Sequence, residues 1–221
     1  LMPIGTNAHE LPMVMTAIAE GDKAKRQAQY EVLRRWESIY GEGLLIMLPD
    51  TYGSEQFFQN MPNDLAKHVA HKWRGQRQDS GDPIKECNKF IKWLVGMGVS
   101  RDDIMKNKIN IFSDGLDDTE MIKFKGEFSN KILTTNGWGT NFTNDFNNCH
   151  PNGEAKIPGL EVTWAQVFRN FSLVVKVVEA NNQPTVKLTN NINKASGTPD
   201  AIADYIRIFG HQGRGEQLVE V

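Results

Sequence analysis

The sequence predicts an α/β fold built on parallel strands, and three observations predict it. Short apolar runs alternate about four times with stretches whose apolar residues recur at helical spacing, the order that parallel strands with helical crossovers require. Each run leads into a loop of Asp, Ser, Thr or Gly, and sites in such folds gather at those carboxyl ends. Hydrophobic residues make up 39% of the 221 and charged residues 24%, so the chain carries enough apolar surface to bury a core. At roughly 150 residues per domain, this length allows one large domain or one with an appendage.

Met2, Pro3 and Ile4 read as the middle of a strand running into the loop Gly5–Thr6, so the chain opens inside an element and a further segment is expected upstream. In residues 25–40, Ala28, Val32, Leu33, Trp36 and Ile39 fall near a 3.6-residue period, an amphipathic helix closed by Gly41 and Gly43. Residues 44–48 predict a buried strand ending at Pro49, Asp50 and Thr51, and Ser54 with Glu55 resembles a cap ahead of Phe57 and Phe58. Residues 71–78 predict the next strand. After it, Ile84, Cys87, Ile91 and Leu94 recur at helical spacing with Pro83 in the first turn, which places Cys87 in a core.

Ser100 and Asp103 have capping-box spacing ahead of a short helix, and Ile109–Phe112 predicts a strand ending in Ser113, Asp114 and Gly115. Asp117 and Glu120 repeat that spacing before Met121, Ile122 and Phe124, and residues 132–134 predict a strand leading into Gly137, Trp138, Gly139 and Thr140. Residues 141–153 are Asn-rich without apolar period, a loop. Residues 174–178 and 185–188 predict a β-hairpin around Asn181 and Asn182, and Thr198 caps a last helix with Pro199 in its first turn, ahead of a polar tail.

Charge excludes some partners. The 25 Lys and Arg against 27 Asp and Glu give a net −2, and no basic cluster offers the field that a nucleic-acid backbone or an acidic membrane needs. No apolar run approaches the roughly 20 residues of a spanning helix. Two cysteines, Cys87 and Cys149, make no disulfide framework, so a cytoplasmic location is expected. His68 and His71 have the i, i+3 spacing of a metal pair but lack a nearby third ligand, so exposed histidines are the plainer reading.

Four loops stand out: Gly5 Thr6 Asn7 Ala8 His9 Glu10, Arg77 Gln78 Asp79 Ser80 Gly81 Asp82 Pro83, Ser113 Asp114 Gly115 Leu116 Asp117, and Gly137 Trp138 Gly139 Thr140. On a parallel sheet all four face one rim. Glycines there let backbone N–H groups approach phosphate, carboxylates accept from ribose hydroxyls, and an arginine can fork onto an anion. Each residue also has a plainer use: Arg77 and Asp79, two apart on a strand, would share a face as an ion pair, Gly81 and Gly115 would serve turns, and Asp117 would cap a helix.

In content, order and spacing these loops resemble the GT-x-AHE, R-x-DSGDP, SD-x-L-[DN] and G-x-GT-x-[FL]-T-x-D segments of nicotinate phosphoribosyltransferases. The likeness runs over nearly the whole chain but only the back part of the family's usual length. It implies an irregular or incomplete α/β barrel of the type II phosphoribosyltransferase kind. On that basis residues 1–145 would form part of the barrel, 146–196 a loop and a late β-hairpin returning to an N-terminal domain absent from this chain, and 197–221 a C-terminal helix and tail.

The resemblance also implies that nicotinate and phosphoribosyl pyrophosphate give nicotinate mononucleotide and pyrophosphate, with Mg2+ and coupled ATP hydrolysis, in a homodimer with shared sites. His9 would be the residue transiently phosphorylated by ATP. Arg77 would lie near the pyridine ring, Asp79 and Asp114 near the ribose or metal shell, and Gly137, Gly139 and Thr140 at the 5′-phosphate, with Thr6, Asp50, Thr51, Ser113 and Gly115 also meeting substrate. Two departures from the pattern are Trp138, where relatives carry a small aliphatic residue, and Asn190, where an acid is common and which reads as part of a peripheral sheet. A nicotinamide-specific relative and a non-catalytic fragment are the alternatives.

Overall fold

The computed structural model describes residues 6–139, 152–167 and 176–210. Two helices open it, α1 (Glu10–Ala17) and α2 (Gly21–Tyr40). The sheet then alternates with helices: β1 (Ile46–Met47), α3 (Ser54–Gln59), α4 (Asn63–Lys72), β2 (Gly75–Gln78), α5 (Pro83–Gly96), α6 (Arg101–Asn107), β3 (Ile109–Phe112), α7 (Asp118–Phe128) and β4 (Leu133–Asn136). All four strands are parallel and lie in sequence order, β1-β2-β3-β4. Sequential parallel order is what a barrel segment produces, and among the described residues the sheet stays open at both edges.

Alternation along the strands divides the sheet into two faces. Met47 and Phe112 pack against Ala66 and Val69 of α4, Cys87, Phe90 and Leu94 of α5, and Phe124 and Phe128 of α7, the main core. Ile46, Ile109 and Ile111 are buried on the other face with Leu133 against them, and Arg77, aligned with Ile111, belongs to that same face. Gly75 permits the close approach of β2 to β3, since a Cβ there would stand 1.8 Å from the Ile109 carbonyl oxygen.

Several predicted elements stand as expected. Cys87 is fully buried and its thiol is pushed up to about 12 by that burial. Asp117 and Glu120 form a reciprocal capping box, while Ser100 makes only its own half, accepting from the Asp103 N–H. The strand expected over residues 71–78 begins only at Gly75. His71 and Lys72 end α4, a helix the sequence reading passed over, whose Leu65, Ala66, Val69 and Ala70 supply one apolar face. The strand expected at 132–134 is shifted to Leu133–Asn136. Strand Met2–Ile4 and the loop at 141–151 lie outside the described residues.

In the predicted hairpin, Asn181 and Asn182 do make the turn, with φ +49° and +57°, the left-handed pair that asparagine tolerates. Its paired residues are Glu179–Ala180 and Gln183–Pro184, nearer the turn than the apolar runs; Val174 and Val175 lie outside the described residues. Val186 and Leu188 instead leave the hairpin and bury against Tyr52 and the last helix, Pro199–Phe209, which Thr198 caps. That helix is fastened to α2 by Arg207 on Asp22 and by Arg26 on the Ile208 carbonyl.

Candidate active site

The carboxyl ends of the four strands carry the loops singled out in the sequence. β1 runs into Asp50 and Thr51, β2 into Asp79 to Asp82, β3 into Ser113 to Gly115 and β4 into Gly137 to Gly139. Between the last three lies a cavity of about 390 Å³ lined by Arg77, Asp79, Ser113, Gly115, Leu116, Gly137, Trp138 and Gly139. Gly115 and Gly81 have φ of +59° and +80°, so both also serve as turn glycines. Thr140 lies outside the described residues.

His9 stands just before the first turn of α1 and is 6% exposed. Its Nε2 lies 3.1 Å from Asp79 Oδ2 and 3.7 Å from Asp50 Oδ1, and its Nδ1 lies 3.0 Å from Thr51 Oγ1. Ionised carboxylates only accept, so the ring proton belongs on Nε2; Nδ1 keeps the lone pair, and the Thr51 hydroxyl donates to it. A carboxylate orienting an imidazole so that the opposite nitrogen is free to react is the logic of activated nucleophiles.

The two carboxylates beside Nε2 differ. Burial alone would push Asp79 up, but the hydrogen bond from His9, the Arg77 charge and the Ser113 hydroxyl together hold it below the usual carboxylate range. Ser113 Oγ lies 2.9 Å from Asp79 Oδ1 and 3.1 Å from the Gln78 carbonyl oxygen. Asp50 is fully buried, and desolvation with the neighbouring Asp79 charge raises it, despite the His9 contact and the Ser80 hydroxyl that donates to its Oδ2. Its Oδ1 has no hydrogen-bond partner among the described residues.

Arg77 Nη2 stands 3.6 Å from Asp79 Oδ2, so the ion pair considered from sequence exists, loosely. Its Nε is buried with no hydrogen-bond partner among the described residues, and the side chain lines the cavity. Asp114 contacts Lys194 beside the cavity. Asp50 and Thr51 lie beneath His9, almost wholly buried, while Thr6 donates to the Ile46 carbonyl at 2.8 Å. Asp117 caps α7, as its capping-box spacing with Glu120 predicted.

Three contributors were missed. Ser80 is fully buried and ties Asp50 to the β2 loop; it lay within the conspicuous loop, and its neighbours could have pointed to it. Asn190 is not peripheral. Its Oδ1 accepts from the Ser54 N–H at 2.7 Å, its Nδ2 lies 2.8 Å from Ser54 Oγ, and its N–H donates to Ser80 Oγ at 3.1 Å. It thus caps α3 from 136 residues away, where Gly53 at the N-cap has no side chain to do so, and Ser54 is the first helical residue, not the cap. Leu188 and Thr189 add N–H bonds to the Thr51 carbonyl at 2.8 and 3.1 Å. The third is Lys194; no local signal marks Asn190 or Lys194, because their partners are 80 or more residues distant.

Elsewhere, His68 bonds to Glu37, which also accepts from Trp73 Nε1, and His71 lies 3.1 Å from the Met97 carbonyl oxygen. Their i, i+3 spacing thus serves two separate surface contacts.

Residues 1–212 match the pattern of the nicotinate phosphoribosyltransferase (NAPRTase) family. The chain belongs to that family. Solved structures agree. A nicotinate phosphoribosyltransferase of Saccharomyces cerevisiae superposes with a TM-score of 0.75 at 27% identity, covering 95% of this chain and 45% of that one. One from Vibrio cholerae gives 0.74 at 28%, with 94% and 44% covered, and one from Porphyromonas gingivalis 0.72 at 26%, with 93% and 47%. The chain therefore spans just under half the length of these family members. No helix among the described residues is long and apolar enough to cross a membrane.

Proposed function

We propose that the protein carrying this chain joins nicotinate to phosphoribosyl pyrophosphate, forming nicotinate mononucleotide and pyrophosphate. The observation that carries this reading is the convergence of Arg77, Asp79, Ser113 and the Gly137 and Gly139 backbone on one cavity at the strand ends, in a chain of this family. Arg77 offers donors to the nicotinate carboxylate, which a nicotinamide lacks. The small residues Gly137 and Gly139 would leave backbone donors open to the 5′-phosphate, and Thr140, next in sequence, would share that role. Asp114 and the Ser113 hydroxyl would meet the ribose hydroxyls. In the transfer, the pyridine nitrogen bonds to ribose C1′ as the bond to pyrophosphate oxygen breaks.

ATP coupling would run through His9. Nδ1 would attack the γ-phosphorus, ADP would leave, and water would later release phosphate. Asp79 supports this by holding the ring proton on Nε2, and the Thr51 hydroxyl must swing aside for Nδ1 to react. Mg2+ fits as a companion of the substrate. The described residues include no group of three or more His, Cys, Asp or Glu able to cage a metal, and Mg2+ commonly uses one or two carboxylates plus substrate phosphates. Asp114 would hold it, and it would neutralise pyrophosphate charge. The shared sites that the family resemblance implies make a homodimer the expected assembly, and the cytoplasm its expected location.

Two assays test the proposal on the full-length protein. Nucleotide formation should be faster with nicotinate than with nicotinamide, and preference for nicotinamide would overturn the substrate assignment. Incubation with γ-labelled ATP should leave acid-labile label that His9→Ala abolishes; label persisting in that variant would overturn the phosphohistidine.

A further inference from the structure

His9 is flanked on both ring nitrogens by residues of one short turn, Pro49–Thr51. The Thr51 hydroxyl stands at Nδ1, and on the Nε2 side, besides Asp79, lies Asp50 Oδ1 at 3.7 Å. Three consecutive N–H groups from a distant stretch of chain meet that turn and the β2 loop. Leu188 and Thr189 donate to the Thr51 carbonyl at 2.8 and 3.1 Å, and Asn190 donates to Ser80 Oγ at 3.1 Å. With that N–H on a lone pair, the Ser80 hydroxyl gives its own proton to Asp50 Oδ2. The carboxylate is thereby held with Oδ1 toward the imidazole.

The stretch carries strain and a side-chain anchor. Thr189 has φ +58°, a left-handed conformation rare for a β-branched residue, and such strain persists only where the surroundings over-determine it. Asn190 fixes the end, accepting the Ser54 N–H at 2.7 Å while its amide donates to Ser54 Oγ at 2.8 Å. Asp50, Thr51, Ser80 and Thr189 are all buried, so water does not compete for these bonds.

We infer that residues 188–190 are a positioning strap for His9, acting on the imidazole through Thr51 at one nitrogen and through Ser80 and Asp50 at the other. For its consequence in the reaction the inference rests on the phosphohistidine reading. A ring held in one orientation, with its proton on Nε2, reaches phosphorus more often than one that turns between partners. A merely structural strap would lower stability and leave the reactivity of the folded site unchanged.

The test uses the full-length protein well below its melting temperature, with two readouts. One is the first-order rate of label uptake at His9 from saturating γ-labelled ATP. The other is carbethoxylation of His9 by diethyl pyrocarbonate, mapped by peptide mass, with alkylation of the buried Cys87 scored alongside as a gauge of global opening. Ser80→Ala should slow labelling about tenfold and Asn190→Ala about threefold, the cost of a misplaced nucleophile. Both should speed His9 carbethoxylation severalfold, because a released ring leaves its buried place, while Cys87 stays protected. Asn190→Asp still accepts from the Ser54 N–H, and the Ser54 hydroxyl can turn to donate to it, so both rates should return to within about twofold of wild type. Should Ser80→Ala fail to fold, the two Asn190 variants decide alone. Wild-type rates in the alanine variants, or faster carbethoxylation matched by exposure of Cys87, would overturn the inference. Failure of the phosphohistidine reading looks different: the wild type would take no label, while His9 carbethoxylation still rose in the alanine variants and fell back in Asn190→Asp, which would uphold the strap.

Discussion

Asp79 is where the site's electrostatics can be tested most sharply. Its Oδ2 accepts from His9 Nε2 at 3.1 Å and faces Arg77 at 3.6 Å, while Oδ1 takes the Ser113 hydroxyl at 2.9 Å. Asp79→Asn keeps the shape and removes the charge. The amide oxygen can turn to His9 and the amide nitrogen to Ser113, whose hydroxyl has the Gln78 carbonyl as a second acceptor. No donor is then orphaned, and the loss is the difference between a charge-assisted and a neutral hydrogen bond, about 1 kcal/mol. For a domain of this size that is ~2–4 °C in Tm. Asp79→Ala is worse, because it strips the acceptor from Nε2 and the counter-charge from Arg77 together, a loss of about 2–4 kcal/mol.

The pH dependence supplies the sign. The folded pKa of Asp79 lies below its unfolded value, so its stabilisation is fully present above the unfolded value, about 3.9, and is lost as the pH falls through the lower folded value. Thermal melts of wild type and Asp79→Asn from pH 7 downward are the assay. The gap between them should close only below the usual carboxylate range. A gap that is absent at pH 7, or that persists undiminished to the lowest pH at which both proteins fold, would refute the reasoning.

Three further predictions follow from single residues. Asn190→Ala removes the side-chain bonds to Ser54, so Tm should fall by ~4–8 °C, the equivalent of about 2 kcal/mol; a differential scan showing no change would return Asn190 to the periphery. Gly81→Ala places a Cβ at φ +80°, 3.1 Å from the Asn190 Cβ, and should lower the unfolding free energy in urea by about 1–2 kcal/mol. Cys87, its thiol pushed up to about 12 by burial, should stay unmodified by a thiol reagent at pH 8 until denaturant is added, as peptide mass mapping would show.

The parts of the fold that were legible in the sequence are those written in local chemistry. Ile109–Phe112 is a run of apolar character closed by a turn, and Asp117 with Glu120 carries its capping partner three residues away, so both could be read without knowing what surrounds them. α4 was hidden because its apolar positions stop at Ala70 and its polar end runs on toward β2, so helix and strand merged into one expected segment. The hairpin shows the same limit: the Asn pair announces its turn, but Val186 and Leu188 answer to Tyr52 and the last helix, a burial that only the tertiary fold decides.

Of the site, the sequence disclosed the loops and left out their relations. His9, Arg77, Asp79, Ser113, Gly137 and Gly139 converge as the motif order implied. That Asp50 and Thr51 lie under the imidazole, rather than on the open rim, follows from burial. Sequence gave no means of separating a carboxylate that meets ligand from one that meets His9. Asn190 and Lys194 were beyond reach for a simpler reason, since the residues they touch come from loops that only folding brings beside them.

The proposed function requires that the rim formed by the four strand ends bind the mononucleotide. A crystal structure of the full-length protein with nicotinate mononucleotide tests it most directly. The 5′-phosphate should lie against the Gly137 and Gly139 backbone, the ribose beside Ser113 and Asp114, and the nicotinate carboxylate within hydrogen-bond distance of Arg77. Product bound away from the carboxyl ends of β2, β3 and β4, or lying with its carboxylate remote from Arg77, would contradict it.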